Sequence, residues 1–270
     1  NATCAAGDMV DLAPAERTKV DIAYDQIALS VAAFEASAEV NQYSSKYDAY
    51  VAGQATLTAQ ESLGLSLFAG KGQCSACHVL DTQSDGQPAL LTDYTYDNVG
   101  TPKNPDNPVY RDQPDFVDTG LGRFLETRPE YAGFAAANLG KHKVPTLRNV
   151  ALRPGKGNKK GGMRGAKMGG KRGAMKGGRK GGNKGLPKAY THNGYFKTLA
   201  GLVNFYNTRD VKPECPDPLT REKDALAQGC WPAPELSDNL NEDELGNLGL
   251  TSAEEAAIVA FLGTLSDGYF

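Results

Sequence analysis

The chain has 270 residues, of which 40% are hydrophobic and 23% are charged, and its net charge at pH 7 is −3. This length suffices for one large domain or two small ones, and the composition is typical of a soluble globular protein. No run of 18 apolar residues occurs, so the sequence predicts no membrane-spanning helix.

The first predicted element is an amphipathic helix over residues 14–38, because Pro14 suits a first helical turn. Apolar side chains recur there at intervals of three and four residues, which predicts one apolar stripe. These residues are Val20, Tyr24, Ile27, Val31 and Phe34. A polar stretch follows over residues 41–56.

A second helix is predicted from Thr58 to about Gly70. The residues Thr58-Ala59-Gln60-Glu61 form the capping-box pattern that opens a helix, and a glycine commonly ends one. The apolar residues of this helix are Leu63, Leu67 and Phe68.

The motif Cys74-Ser75-Ala76-Cys77-His78 follows directly and reads C-x-x-C-H, the attachment motif of a c-type haem. Cys74 and Cys77 would bond to the haem vinyl groups, and His78 would be the proximal iron ligand. A dithiol redox pair expects a βαβ context, which is not visible here, and a structural zinc site usually needs a second cysteine pair. We therefore expect one covalent haem c.

Such a haem is attached outside the cytoplasm, so the motif predicts a secreted bacterial protein, periplasmic or extracellular. The chain begins at Asn1 without Met, and we expect that a leader was removed. Residues 81–120, rich in Asp, Asn, Pro and Gly, predict a long irregular loop around the cofactor.

Residues 154–188 form a strongly basic insertion with nine Lys, three Arg and no acidic residue. The remaining chain has 17 basic and 32 acidic residues, a charge of about −15. The insertion has no apolar period and should be disordered by itself, so we expect an acidic surface to order it. It suggests self-association or docking to an anionic surface; nucleic acid is the disfavoured competitor for a secreted protein.

Two more helices are predicted towards the C-terminus. One runs from Thr198 to Tyr206, and the other follows a second capping box, Thr251-Ser252-Ala253-Glu254. Their apolar faces contain Leu199, Leu202, Val203, Ile258, Phe261, Leu262 and Leu265. Strand patterns are scarce, so the expected class is mainly α, a c-type cytochrome domain with long irregular loops.

Three cysteines lie outside the haem motif. Cys215 and Cys230 flank a Pro-rich polar loop and would close it as a disulfide in an oxidising compartment; the alternative is two buried free thiols. Cys4 would remain as a free thiol or an intermolecular partner.

Five segments carry a resemblance to a known family. They are Gly64-Leu65-Ser66-Leu67-Phe68, Val144-Pro145-Thr146-Leu147-Arg148-Asn149-Val150-Ala151-Leu152, His192-Asn193-Gly194-Tyr195-Phe196, Phe205-Tyr206-Asn207 and Leu250-Thr251 to Leu265. In this order they resemble the bacterial di-haem cytochrome c peroxidase/MauG family, over residues 20–153 and 187–270. The resemblance is to the C-terminal, electron-transfer haem domain at 57–270, with residues 1–56 similar to the end of the preceding domain.

The chain departs from the family's pattern in two ways. It lacks a first C-x-x-C-H, so the peroxidatic haem and peroxidase activity are in doubt. The basic insertion also replaces the turn after Leu152 that helps hold a calcium ion in relatives, so calcium is doubtful here.

By the resemblance, Tyr206 is the candidate sixth iron ligand, since relatives have Met or Tyr there; the alternative is a core tyrosine whose hydroxyl bonds a neighbour. His192 is expected as a support near the haem, and His142 as a solvated residue. The stretch containing Pro145 and Arg148 would pack beside the haem, with Arg148 on a propionate or in a surface ion pair. Less favoured ligands are Met163, Met168 and Met175 of the insertion.

Three functions remain open from the sequence. The favoured one is an electron-transfer cytochrome with one haem and a redox protein partner. The second is a cytochrome c peroxidase-type enzyme that works with a haem outside this chain. The third is an assembly-forming haem protein that uses the insertion at 154–188.

Overall fold

The structure is a computed structural model that describes residue 10, residues 12–152 and residues 189–270. Cys4, the basic insertion and its three methionines lie outside these residues, and so do the predictions about them. The described part is mostly helical, which confirms the expected class. None of its helices is long and apolar enough to cross a membrane.

Eight α-helices and one small sheet are present in the described residues. The helices are α1 (Pro14–Glu35), α2 (Lys46–Val51), α3 (Ala59–Ala69), α4 (Pro108–Asp112), α5 (Gly120–Glu126), α6 (Leu199–Thr208), α7 (Glu222–Gln228) and α8 (Ser252–Gly263). Strands β1 (Tyr96–Asp97) and β2 (His142–Lys143) pair antiparallel, with Asp97 opposite His142. Single 3-10 turns occur at Cys74–Ala76, Ala132–Phe134, Ala136–Asn138 and Val150–Leu152.

The chain divides into two compact units, residues 1–43 and 44–270. The first unit contains α1, which begins at Pro14 as predicted and ends at Glu35, three residues before the predicted end. No residue of α1 is buried, and its predicted apolar stripe is exposed.

In the second unit, α3 and α8 pack closely against each other. Both predicted capping boxes are present, at Thr58 with Glu61 and at Thr251 with Glu254. A side chain at Gly64 would overlap the carbonyl of Ala257, so glycine allows the close approach of the two helices. The core between them contains Leu67, Phe68, Ile258, Phe261, Leu262 and Leu265. This packing positions the end of α3, where the haem motif begins.

A second core forms around α6 and α7. Cys215 and Cys230 are joined in a disulfide, in line with the predicted pairing. Trp231 beside it packs edge-on against Phe205 at 5.2 Å and donates a hydrogen bond to Thr208. Trp231 is therefore a packing residue of this core.

Two regions differ from the sequence prediction. The polar stretch at 41–56 contains α2, which opens with a capping box between Ser45 and Asp48. The loop at 81–120 is mostly irregular as predicted but includes β1 and α4. Elements of two to six residues are too short to show a hydrophobic period, which explains why they were missed.

Candidate haem site

The haem motif is a compact turn that follows the end of α3 after the short turn at residues 70–73. Residues Cys74–Ala76 form a 3-10 turn, and the amide of His78 donates to the carbonyl of Cys74 at 2.9 Å. The amide of Asp93 donates to the carbonyl of Cys77 at 2.9 Å, which joins the turn to the following loop. The two thiols and the imidazole therefore share one small, well-anchored segment.

Both motif thiols are free and half-buried. The Cys74 thiol donates to the carbonyl of Gly72 at 3.3 Å, and Cys77 Sγ lies 3.5 Å from Asp97 and 3.6 Å from Glu244. Burial raises the pKa of Cys74 to about 12. The pKa of Cys77 is raised by burial and by the carboxylates of Glu244 and Asp97.

These surroundings argue against the dithiol redox alternative. A reactive dithiol needs a lowered thiol pKa, and such cysteines lie in electropositive settings. The setting of Cys77 is electronegative. Sequence reasoning missed its two acidic neighbours because Asp97 lies in a two-residue strand and Glu244 in a loop, and neither segment is long enough to show a periodic pattern.

His78 is held in an orientation that suits metal ligation. Its Nδ1 lies 2.9 Å from the carbonyl oxygen of Leu91, an arrangement that leaves Nε2 as the ligating nitrogen. Burial lowers the pKa of His78, and the backbones of Leu91 and Pro145 and the charge of Asp93 only partly oppose this effect. The ring is therefore neutral at neutral pH, which is the form that binds iron.

Tyr206 projects from α6 towards the same motif. Its pKa is raised by burial and further by the thiols of Cys74 and Cys77, so its hydroxyl lies within their electrostatic reach. Among the described residues, no hydrogen-bond partner is present for this hydroxyl. Tyr206 is only partly buried, and its hydroxyl is not among the buried polar atoms that lack a partner, so this hydroxyl is open to solvent. The alternative of a core tyrosine bonded to a neighbour has no such contact among the described residues.

These residues fit a c-type haem. The motif supplies two thiols and one oriented imidazole, and α6 adds the phenol of Tyr206. Partly buried apolar side chains pack against the first core, as Cys74 itself does, and a haem site needs such an apolar lining. They include Leu65, Leu80, Leu147 and Val150.

Arg148 forms an ion pair that the sequence did not specify. Its guanidinium donates two hydrogen bonds to the carboxylate of Asp48, at 2.9 and 3.0 Å, and its Nε donates to the carbonyl of Ala89. Both charged side chains are at least 93% buried, so the alternative of a surface ion pair is wrong. A contact of Arg148 with a haem propionate and a position of Pro145 beside the haem stay predictions.

The other two histidines lie against each other. The rings of His142 and His192 stack at 3.6 Å between centroids with 7° between their planes. His142 is half-buried, so the expectation of a solvated residue is wrong. The described contacts of His192 are with His142 and Glu235, and its support of the haem stays a prediction.

The chain is similar to several known haem proteins, although no protein-family model matches it. It is 30% identical over 251 residues to the methylamine utilization protein MauG of Paracoccus denitrificans, covering 91% of this chain and 52% of that protein. It is 25% identical to the cytochrome-c peroxidase IdrP2 of Denitromonas iodatirespirans, covering 78% of this chain and 40% of that protein.

A solved structure shows the same fold. The diheme peroxidase BthA of Burkholderia thailandensis matches with a TM-score of 0.57 and 28% identity, over 86% of this chain and 48% of that one. The chain thus spans about half the length of the relatives it matches. The chain is therefore similar to MauG and to proteins named cytochrome-c peroxidase and diheme peroxidase, over part of their length.

Proposed function

We propose that this chain is an electron-transfer domain that carries one covalent haem c and works outside the cytoplasm. The observation that carries the proposal is Tyr206, whose hydroxyl is unpartnered among the described residues and lies within electrostatic reach of both motif thiols. A ligand on each side of the iron would leave no open position for a substrate, which is the condition of an electron carrier.

The proposed roles follow from the contacts of each residue. Cys74 and Cys77 hold the haem by thioether bonds, and His78, oriented by Leu91, is the fifth ligand. Tyr206 is the sixth ligand, in its deprotonated form. When bound, the haem supplies one-electron redox chemistry, and a tyrosinate ligand stabilises ferric iron.

The raised pKa of Tyr206 has a consequence for this assignment. Without a metal its phenol stays protonated at neutral pH, because burial disfavours the charged phenolate. A bound cation reverses this preference, since metal ions lower the pKa of their ligands. We therefore expect Tyr206 to be a ligand of ferric iron and a weaker one of ferrous iron.

The second candidate is a peroxidase-type enzyme, and the names of the relatives favour it. The chain matches about half of proteins described as a diheme peroxidase and a cytochrome-c peroxidase. In this case the chain would be the C-terminal half, residues 57–270 would be its cytochrome domain, and a second haem would lie on another segment or chain. A redox protein partner would supply the electrons.

The basic insertion at 154–188 supports a third proposal, self-association or docking to an anionic protein or cell surface. Its charge of +12 and the charge of about −15 on the rest of the chain carry this proposal. Deleting the insertion should reduce the salt sensitivity of association in sedimentation experiments. An unchanged oligomeric state and salt response would refute it.

The main test is a haem count with ferric and ferrous absorption spectra of wild type and Tyr206→Phe. We expect one haem per chain, a low-spin ferric spectrum in wild type and a high-spin component in the variant. Tyr195→Phe is the matched control, because its hydroxyl donates to Thr220 within the second core, away from the motif. Identical ferric spectra of wild type and Tyr206→Phe would reject Tyr206 as a ligand.

Steady-state turnover of hydrogen peroxide with a reduced donor protein separates the first two candidates. One six-coordinate haem without turnover supports the electron carrier. A five-coordinate ferric haem in wild type, or turnover by this chain, would support the peroxidase-type enzyme instead.

A further inference from the structure

A second group of ligating side chains lies outside the haem motif. Asp118, His142 and His192 each direct one ligand atom into a common space, and these atoms lie within 4.8 Å of one another. Asp118 lies two residues before α5, His142 lies in β2, and His192 lies in the turn between Tyr190 and Phe196. Three segments that are distant in the sequence thus meet at one point.

The two imidazole rings lie close enough to share an ion once they turn out of their stack. Their centroids lie 3.6 Å apart and the rings are nearly parallel. An ion bound by both must lie in the plane of each ring, and two nitrogens on a tetrahedral Zn²⁺ at about 2.0–2.1 Å lie about 3.3 Å apart, so binding requires both side chains to rotate while the backbone stays in place.

Hydrogen bonds hold the three segments in place. The amide of Gly120 donates to Asp118 at 3.0 Å, and the amide of Asp118 donates to Glu235 at 2.9 Å. Asn193, next to His192, is buried and donates to the carbonyl of Pro102 at 2.8 Å. Pairing with β1 holds His142. The backbone segments that carry the three ligands are therefore fixed, and only the imidazole rings need to turn.

The carboxylate of Glu235 lies near the His192 ring. One of its oxygens lies 3.7 Å from Nε2 of His192, and its side chain is only 4% exposed. The same oxygen accepts a hydrogen bond from Tyr110 at 2.6 Å. The 3.7 Å separation is longer than a hydrogen bond. Carboxylates are common partners of metal-binding histidines, and a turn of the His192 ring would complete this contact.

His142 has a nitrogen available for a ligand. Its ring is half-buried, no described residue hydrogen-bonds its ring nitrogens, and these nitrogens are not among the buried polar atoms without a partner, so they are open to an ion from solvent.

We propose that Asp118, His142 and His192 bind one divalent first-row transition ion, with Glu235 orienting His192 from outside the coordination shell. Two imidazoles and one carboxylate are a ligand set of Zn²⁺. Ca²⁺ and Mg²⁺ prefer all-oxygen ligands, so the site should discriminate against both. The ion would join three chain segments that local structure alone does not connect.

The test is a Zn²⁺ titration of the haem-loaded, chelator-treated full chain by calorimetry, with metal analysis after dialysis. Haem-loaded protein is needed because Cys74, Cys77 and His78 of an unloaded chain would bind Zn²⁺ themselves. We expect one Zn²⁺ per chain beyond the haem iron, and no displacement by millimolar Ca²⁺.

Variants assign the ion to these residues. Asp118→Asn and His142→Phe should weaken Zn²⁺ binding more than 100-fold, and Glu235→Gln should weaken it about 10- to 100-fold. Asp85→Asn is the matched control, because Asp85 is exposed and bonds only its own turn among the described residues. If His142→Phe does not fold, the Zn²⁺ affinity of Asp118→Asn is the deciding measurement. This variant should fold, because an amide has nearly the same shape as the carboxylate it replaces.

Three results would overturn the proposal. They are the absence of stoichiometric Zn²⁺ binding in wild type, unchanged affinity in Asp118→Asn and His142→Phe, and displacement of Zn²⁺ by equimolar Ca²⁺. The haem spectrum serves as the internal control, since a change on addition of Zn²⁺ would mean that the ion acts at the haem instead.

Discussion

The haem motif and the histidine pair differ in how their ligands are distributed along the chain. Cys74, Cys77 and His78 lie within five residues, whereas Asp118, His142 and His192 are spread over more than 70 positions. The first site is a property of one turn, and the second exists only when the chain is folded. This difference predicts that the two sites respond differently to local and to distant substitutions.

The largest effect should come from breaking the local site. The double variant Cys74→Ala/Cys77→Ala should lose all covalent haem, because both thioether bonds require these thiols. Haem staining of a denaturing gel measures the loss. Ser75→Ala, between the two cysteines, should retain full staining, and a stained band in the double variant would contradict the motif assignment.

A core substitution should separate the stability of the scaffold from haem attachment. Phe261 is fully buried in α8 and packs edge-on against Phe68 at 5.1 Å. Phe261→Ala should lower the free energy of unfolding by about 3–5 kcal/mol, because it removes a large side chain from a packed core.

Denaturant unfolding of the haem-loaded protein measures this change. Leu63→Ala, on the exposed face of α3, should change the stability by about 0.5 kcal/mol or less. We expect covalent haem to persist in Phe261→Ala, and its loss would show that the local site depends on the scaffold more than its sequence implies.

The ion pair between Asp48 and Arg148 tests a contact between distant segments. Asp48→Asn should cost about 3 kcal/mol, because it leaves the guanidinium of Arg148 buried without its counter-charge. Asp112→Asn is the matched control: its ion pair with Arg111 is exposed, and such pairs contribute about 0–1 kcal/mol.

The same pair predicts a pH dependence. Burial by itself would raise the pKa of Asp48, but hydrogen bonds from Arg148 and Ser45 outweigh it, and the pKa is lowered. Its stabilisation is therefore fully present above the ordinary aspartate value of about 3.9 and is lost as the pH falls through the lower folded value. Between pH 5 and 2, the free energy of unfolding should fall less steeply with pH in Asp48→Asn than in wild type. An equal pH dependence in both proteins would contradict this assignment.

The smallest effect should come from a helix cap. Thr58 accepts a hydrogen bond from the amide of Glu61 at the start of α3, the helix that leads to the haem motif. Thr58→Ala should lower stability by about 1 kcal/mol. Thr56→Ala, an exposed site two residues earlier, should have no measurable effect, and equal losses at both positions would show that the cap does not contribute.

Several elements could be predicted because their signals are local. The capping boxes at Thr58 and Thr251 marked two helix starts, and Pro14 marked a third. The α2 helix carries the same kind of signal at Ser45 and Asp48, but its six residues are too few for an apolar period. A search for capping boxes that did not also require an apolar period would have found α2.

Contacts between distant segments could not be predicted in the same way. Nothing in the neighbourhood of Arg148 indicates Asp48, which is 100 positions earlier in the chain. His142 lies between two lysines, a pattern typical of a solvated residue, yet strand pairing and the turn at His192 partly bury its ring. A surface sequence pattern is misleading where the partner comes from elsewhere in the chain.

The sequence by itself determined the haem motif, the mainly helical class and the starts of α1, α3, α6 and α8, because each depends on residues within one or two turns of one another. Only the tertiary structure decided which carboxylates lie beside Cys77, which carboxylate pairs with Arg148 and which histidines meet. These outcomes depend on packing between α3, α6, α8 and the loops, and packing is set by contacts that no single segment contains.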